Sequence, residues 1–181
     1  MTLIARRIGL CAAVAFVALI LSGCGGDREP ADAELIQRFQ KHRAEFETLR
    51  QMVQSDKGLL RVDDTWTKPE DPTTIGVSAE RIADYRTRFH GLGIPRGFEA
   101  FGGPDHIVFL SWCQGITIAG SAKGYAWCEK APDNLVPDLD AAHHQNYLEY
   151  QKKNQQQPNN WEKHLDLYRH IEGHWYLHFE D

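Results

Sequence analysis

Residues 106–129 read HIVFLSWCQGITIAGSAKGYAWCE, and this stretch decides the fold. Ile, Val, Phe and Trp crowd three runs, His106–Cys113, Ile116–Ala119 and Tyr125–Glu129, with glycines between them. Branched and aromatic side chains suit a pleated, half-buried surface, and glycine lets the chain reverse between strands. The runs therefore predict successive antiparallel strands, with Ser121–Lys123 read as a hairpin turn centred on Ala122.

Upstream the period changes from two to between three and four. Leu35, Phe39, His42, Phe46, Leu49 and Val53 recur along one helical face. Asp32 is placed to cap that helix, Glu34 favours its first turn, and Gly58 suits its C-terminal end. His42 on this stripe reads as a partly buried core histidine. Leu59–Thr67 predicts a strand and Pro69–Thr74 a loop. Ser78 opens a second helix, Ala79–His90, closed by Gly91 and Gly93, and Gly97–Phe101 predicts a short strand. Downstream, Asp138–Lys153 is a weak helix and Asn154–Asn160 a polar loop tip. No internal repeat is visible. Helices followed by a meander indicate an α+β class, with N-terminal helices packed on an antiparallel β-meander sheet in a single domain over residues 32–181.

Six of the nine histidines fall between His143 and His178. Trp175, Leu177 and Phe179 alternate with His174, Tyr176 and His178, the pattern of a half-buried strand. Residues 161–171 read two ways. As a helix, slightly favoured, Asn160 caps it and Trp161, His164, Leu165, Tyr168 and Ile171 share a face. As a strand, an Ile171-Glu172-Gly173 loop sets His170 opposite His174, Tyr168 opposite Tyr176 and Asp166 opposite His178. Opposed side chains lie about 5 Å apart, so the strand would let His170 and His174 reach one metal ion, with Asp166 orienting His178. His170, His174, His178 and Asp166 are thus the alternative metal-binding or hydrolytic set, although His and Tyr on a strand more often form the wet face of a sheet. No His-Glu-x-x-His pattern supports a metal, and no cofactor is expected.

The amino terminus carries a different kind of signal. Arg6 and Arg7 precede an apolar run from Ile8 to Leu21, shorter than the roughly 20 residues of a membrane-spanning helix. Gly9, Ser22 and Gly23 interrupt the longer stretch Leu3–Gly23, and no basic cluster follows to hold it as an uncleaved anchor. Leu21-Ser22-Gly23-Cys24 resembles the lipobox of bacterial lipoproteins. The resemblance implies that residues 1–23 are a signal peptide, that a diacylglycerol is attached to Cys24, and that the new amino terminus is acylated. Gly25 after the cysteine resembles the outer-membrane sorting class, so the expected address is the envelope, facing the periplasm. Residues 24–31 are the lipidated N-terminus and a short linker that spans at most about 25 Å.

Loss of Arg6 and Arg7 with the signal takes the formal charge from −5 to −7. An acidic domain lacks the basic face of a nucleic-acid binder and is not drawn to anionic lipid. With Cys11 removed and Cys24 lipidated, Cys113 and Cys128 are the pair left for a disulfide in an oxidising compartment. Around a turn at Ala122, Cys128 falls opposite Ile116, three residues out of register with Cys113, so pairing needs a bulge at Gln114-Gly115. Ser121 fits neither Gly-x-Ser-x-Gly nor Ser-x-x-Lys, and no glycine loop cradles phosphate. Asp63-Asp64 and Asp138/Asp140 read as turn and cap residues, and Trp112, Trp127 and Trp175 as sheet core. The resulting expectation is a membrane-tethered binding or immunity-type module, with a structural lipoprotein as a further alternative and an envelope protein as partner.

Overall fold

The computed structural model describes residues 28–116, 119–156 and 165–181. Cys24, the apolar run Ile8–Leu21, and Asn160, Trp161 and His164 lie outside these. The described residues form a mixed α+β fold with four α-helices and a seven-stranded antiparallel sheet. In chain order the elements are α1 Asp32–Lys41, α2 Arg43–Ser55, β1 Arg61–Val62, β2 Thr67–Lys68, α3 Ala79–Leu92, β3 Phe98–Glu99, β4 His106–Ile116, β5 Ala119–Cys128, α4 Leu139–Gln156, β6 Asp166–Glu172 and β7 Trp175–Glu180. The sheet order is β2-β1-β3-β4-β5-β7-β6. No helix among the described residues is long and apolar enough to cross a membrane.

One face of the sheet carries the helices. Leu35 and Phe39 of α1, Phe46 and Leu49 of α2, and Tyr85 and Phe89 of α3 meet Phe98, Phe109, Tyr125, Trp175, Leu177 and Phe179 in one cluster. The apolar stripe read from Leu35 to Val53 is therefore a core face, but it is divided. At His42, φ −118° and ψ 25° break the helix between α1 and α2, and both pieces contribute to the same core. Asp32 does not cap α1; Ala31 occupies that position, and the Asp32 carboxylate is committed elsewhere. Ser78 does cap α3, its hydroxyl accepting from Arg81 N at 3.2 Å, and Gly93 closes that helix at φ 65°.

On the other face Val108, Leu110, Ala122, Ala126, Cys128, Tyr168 and Tyr176 form a second cluster, with no helix residue among its described members. The Nε2 of His106, at the start of β4, lies 3.1 Å from the Tyr168 hydroxyl on β6, so two long side chains bridge the roughly 14 Å that three ladder steps put between those strands.

The register shows where the expected turn went. Ser121–Lys123 lies inside β5, where Cys113 pairs with Ala122 and Gln114 with Ser121. Ala122 and Ala126 belong to the second cluster, and Gly120 and Gly124 alternate in phase with them. A Cβ added at Gly124 would sit 2.0 Å from the Phe109 carbonyl oxygen. What reads as turn composition is the small-residue stripe of a strand packed closely on its neighbour. The same register keeps the cysteines apart: Cys113 opposes Ala122 while Cys128 opposes His106, and both thiols are free. Six residues of strand put about 20 Å between them, far beyond disulfide reach.

The helix reading of residues 161–171 is overturned for its described part, because Asp166–Glu172 is a strand. β7 offers it a full ladder, and the alternation places Leu167 and Ile171 on the helix-side core. Its outer edge is covered by the preceding loop: Val136 N donates to Tyr168 O at 2.8 Å and Tyr168 N to Asn134 O at 2.9 Å. Leu59–Thr67 is likewise not one strand but two short ones, β1 and β2, paired through a turn.

Candidate functional site

The hairpin β6–β7 closes through a two-residue turn, Gly173-His174, with an irregularity between His170 and Glu172. The register therefore differs by two from the expected one: His170 opposes Tyr176, Tyr168 opposes His178, and Asp166 opposes Glu180. His170 and His174 do not converge. His170 Nε2 lies 3.1 Å from Gly173 O and its ring packs on Tyr176, while His174 Nδ1 lies 3.0 Å from Cys128 O. One part of the expected set does come together. His178 is buried, and its Nε2 is 2.8 Å from Asp166 Oδ1. The other ring nitrogen, Nδ1, is buried with no hydrogen-bond partner among the described residues.

Around this pair the sheet order β4-β5-β7-β6 assembles groups that the sequence did not join. The His178 ring packs on Tyr168 with centroids 4.7 Å apart, and Tyr168 in turn meets His106. Asp166, Tyr168, His106 and Cys128 line a cleft of about 440 Å³ whose rim carries Asp105, Glu129, Lys130, Asp133 and Asn134. Carboxylates outnumber the single lysine on this wall, so the cleft favours positively charged or hydrogen-bond-donating groups.

The protonation states follow from the surroundings. The His178 hydrogen bond holds the Asp166 carboxyl below its ordinary range. Burial first, and the neighbouring His178 second, hold the His106 imidazole below 6.5. Burial pushes the Cys128 thiol up to about 11, so it stays protonated at neutral pH and is no nucleophile. Burial also raises the Tyr168 phenol, with the Asp166 charge adding to it.

A base with a depressed pKa binds its proton more readily when unfolded. His106 therefore contributes stability that is full above 6.5 and is lost as pH falls through its lowered folded value. Urea midpoints of the wild type are expected to fall between about pH 7 and pH 5, and His106→Gln to flatten part of that slope. An identical slope in the variant would show that His106 is not held neutral.

A second cluster lies on the helix side. Lys123, fully buried in β5, reaches Asp32 Oδ1 at 2.9 Å, Glu29 Oε1 at 3.1 Å and Asp140. The other oxygen of Asp32 accepts from Leu139 N and Arg169, each at 2.8 Å, and Asp32 N donates to Asp140 Oδ2 at 3.0 Å. Asp32, Asp138 and Asp140 are the one acidic trio at metal-ligand spacing among the described residues, but Lys123 and Arg169 already occupy it as the cations. A lysine in phase with Tyr125 and Trp127 on a core face was the available signal for this network.

The chain matches no family model, no curated protein and no solved structure.

Proposed function

We propose that the protein is a lipid-anchored envelope lipoprotein, facing the periplasm from the outer membrane, whose domain is a non-enzymatic binding or immunity-type module. The observation that carries the reading is Leu21-Ser22-Gly23-Cys24 behind a basic start and a 14-residue apolar run. The start of the fold at Asp32, directly after the expected tether, agrees with it. One hydrophobic cluster uniting α1, α2 and α3 with the sheet supports a single domain over residues 32–181 with N-terminal helices packed on it; the sheet is antiparallel, but its order β2-β1-β3-β4-β5-β7-β6 is not that of the expected sequential meander.

The cleft supports binding over catalysis. Its thiol is held protonated, its imidazole is held neutral against a tyrosine, and its best-placed carboxylate is engaged by His178. The Tyr168 hydroxyl beside His106 is a phenol whose pKa is raised by burial, and it stays protonated at neutral pH. An envelope protein or ligand bearing basic groups fits the acidic rim, and nucleic acid does not.

Cys24→Ser is expected to abolish incorporation of a fatty-acid analogue and to leave precursor with residues 1–23 attached. Label retained in the variant would remove the lipoprotein reading.

A further inference from the structure

We infer that the corner made by Glu29, Asp32 and the start of α4 is the surface apposed to the bilayer, held there by a leash much shorter than the linker, with the cleft turned away from the lipid. The inference rests on lipidation at Cys24. Its occupant is a phospholipid surface, because the chain beyond the described residues leads from this corner to the lipidated cysteine.

Glu29 is fastened twice. Its Oε1 lies 3.1 Å from Lys123 Nζ and its Oε2 3.2 Å from His143 Nδ1. Three residues on, Asp32 joins the same ammonium. Lys123 has no exposed surface, so Glu29 is bound to the interior of the domain, not to a loose surface charge. Five peptide links join Cys24 to Glu29 and eight join it to Asp32. At roughly 3.5 Å per residue the reach is about 18 Å with the Glu29 fastening and about 28 Å without it. The fastening thus removes about a third of the leash and fixes where it leaves the domain.

The sheet separates this exit from the cleft. Lys123 alternates with Ala122 and Gly124 and so projects to the helix side, with Tyr125 and Leu35 in the neighbouring core. Cys128, Tyr168 and their cluster occupy the opposite face. A partner of the cleft therefore approaches from the aqueous side. The acidic groups Glu29, Asp32, Asp138 and Asp140 outnumber their cations Lys123 and Arg169, and Arg28 is paired with Glu34, so the corner itself offers no strong attraction to anionic headgroups, and the leash does the holding.

The test uses the full-length lipidated protein in phosphatidylethanolamine vesicles carrying a headgroup quencher. A fluorophore is placed at Ala141→Cys, beside the corner, or at Asp105→Cys, on the cleft rim, in a Cys113→Ser background; both positions are exposed. Quenching at position 141 is expected to exceed that at 105 by at least about twofold, and Glu29→Ala to bring the ratio toward one as the leash lengthens. Glu29→Ala leaves Lys123 paired with Asp32 and Asp140, and an unchanged circular dichroism spectrum confirms the fold. Equal quenching at the two sites, or a ratio unmoved by Glu29→Ala, overturns the inference. Failure of the wild-type protein to float with the vesicles overturns the lipid-anchor reading itself.

Discussion

Replacing Lys123 with methionine is expected to destabilise the fold by about 3–5 kcal/mol, the cost of removing one partner from a buried ion network. Methionine keeps the stem but removes the ammonium. Asp32, 1 % exposed, then faces Asp140 with only Arg169 and the Leu139 amide to hold its charge. Most small domains have only about 5–15 kcal/mol in total, so the variant loses a large share of it. Asp140→Asn is the milder control. Its carboxylate is half exposed, Lys123 keeps Asp32, and the expected cost is at most about 1 kcal/mol. Urea denaturation at neutral pH measures both. A Lys123→Met cost no larger than that of Asp140→Asn would show that the network is neutral to stability.

The pH dependence of the network has a definite sign. Burial works against both charges, yet the Arg169 and Lys123 hydrogen bonds bring the Asp32 carboxyl below 3.8, and the Asp140 and Asp32 bonds bring the Lys123 ammonium above 10.5. The Asp32 contribution is present above 3.8 and disappears as pH falls through its lowered value. The Lys123 contribution is present below 10.5 and disappears as pH rises through its raised one. Between those limits the network holds a plateau, and His106 contributes part of the decline below neutrality.

Phe46→Ala is expected to cost about 3–5 kcal/mol through lost burial and the cavity left behind. Phe46 is fully buried where α2 meets the sheet. Its ring lies 4.5 Å from Tyr125, 5.4 Å from Phe39, 5.9 Å from Trp175 and 6.3 Å from Phe109, so one truncation strips contacts from α1, β4, β5 and β7 together. Four large rings around one site cannot all move in to fill it. Phe101→Ala, at a ring 56 % exposed, is expected to stay within about 0.5 kcal/mol of wild type. Similar costs for the two variants would show that the aromatic cluster collapses around the vacancy.

Much of the architecture is legible from local chemistry. The Leu35–Val53 stripe, the Ser78 cap and the Trp175–Phe179 alternation each report one element, because burial of one face sets a period that the side chains repeat. The long strand β5 is harder to read. Gly120, Ala122, Gly124 and Ala126 alternate with Ser121, Lys123, Tyr125 and Trp127, so one face of the strand carries only small residues. Read by composition it looks like a turn; read by period it is a strand. Residues 166–171 satisfied both helical and strand spacing, and only the free edge of β7 chose between them. His42 is partly buried as its spacing suggests, but that spacing runs unbroken through it and gave no sign of the break at its own backbone.

The sequence by itself determined the α+β class, the core face of the first helical stretch and the terminal strand, since those rest on periodicity and propensity within a few residues. It also carries Leu21-Ser22-Gly23-Cys24, whose resemblance to a lipobox rests on purely local sequence. Only the tertiary structure decided the contact of His106 with Tyr168 across the sheet, the two-residue register change that parts His170 from His174 and joins His178 to Asp166, and the network at Lys123. Each of these depends on groups far apart in the chain, and a ladder register or a buried ion pair leaves no mark on either partner alone. Lys123 could be seen as out of place on an apolar face; that Asp32, 91 residues earlier, completes it is a fact of packing.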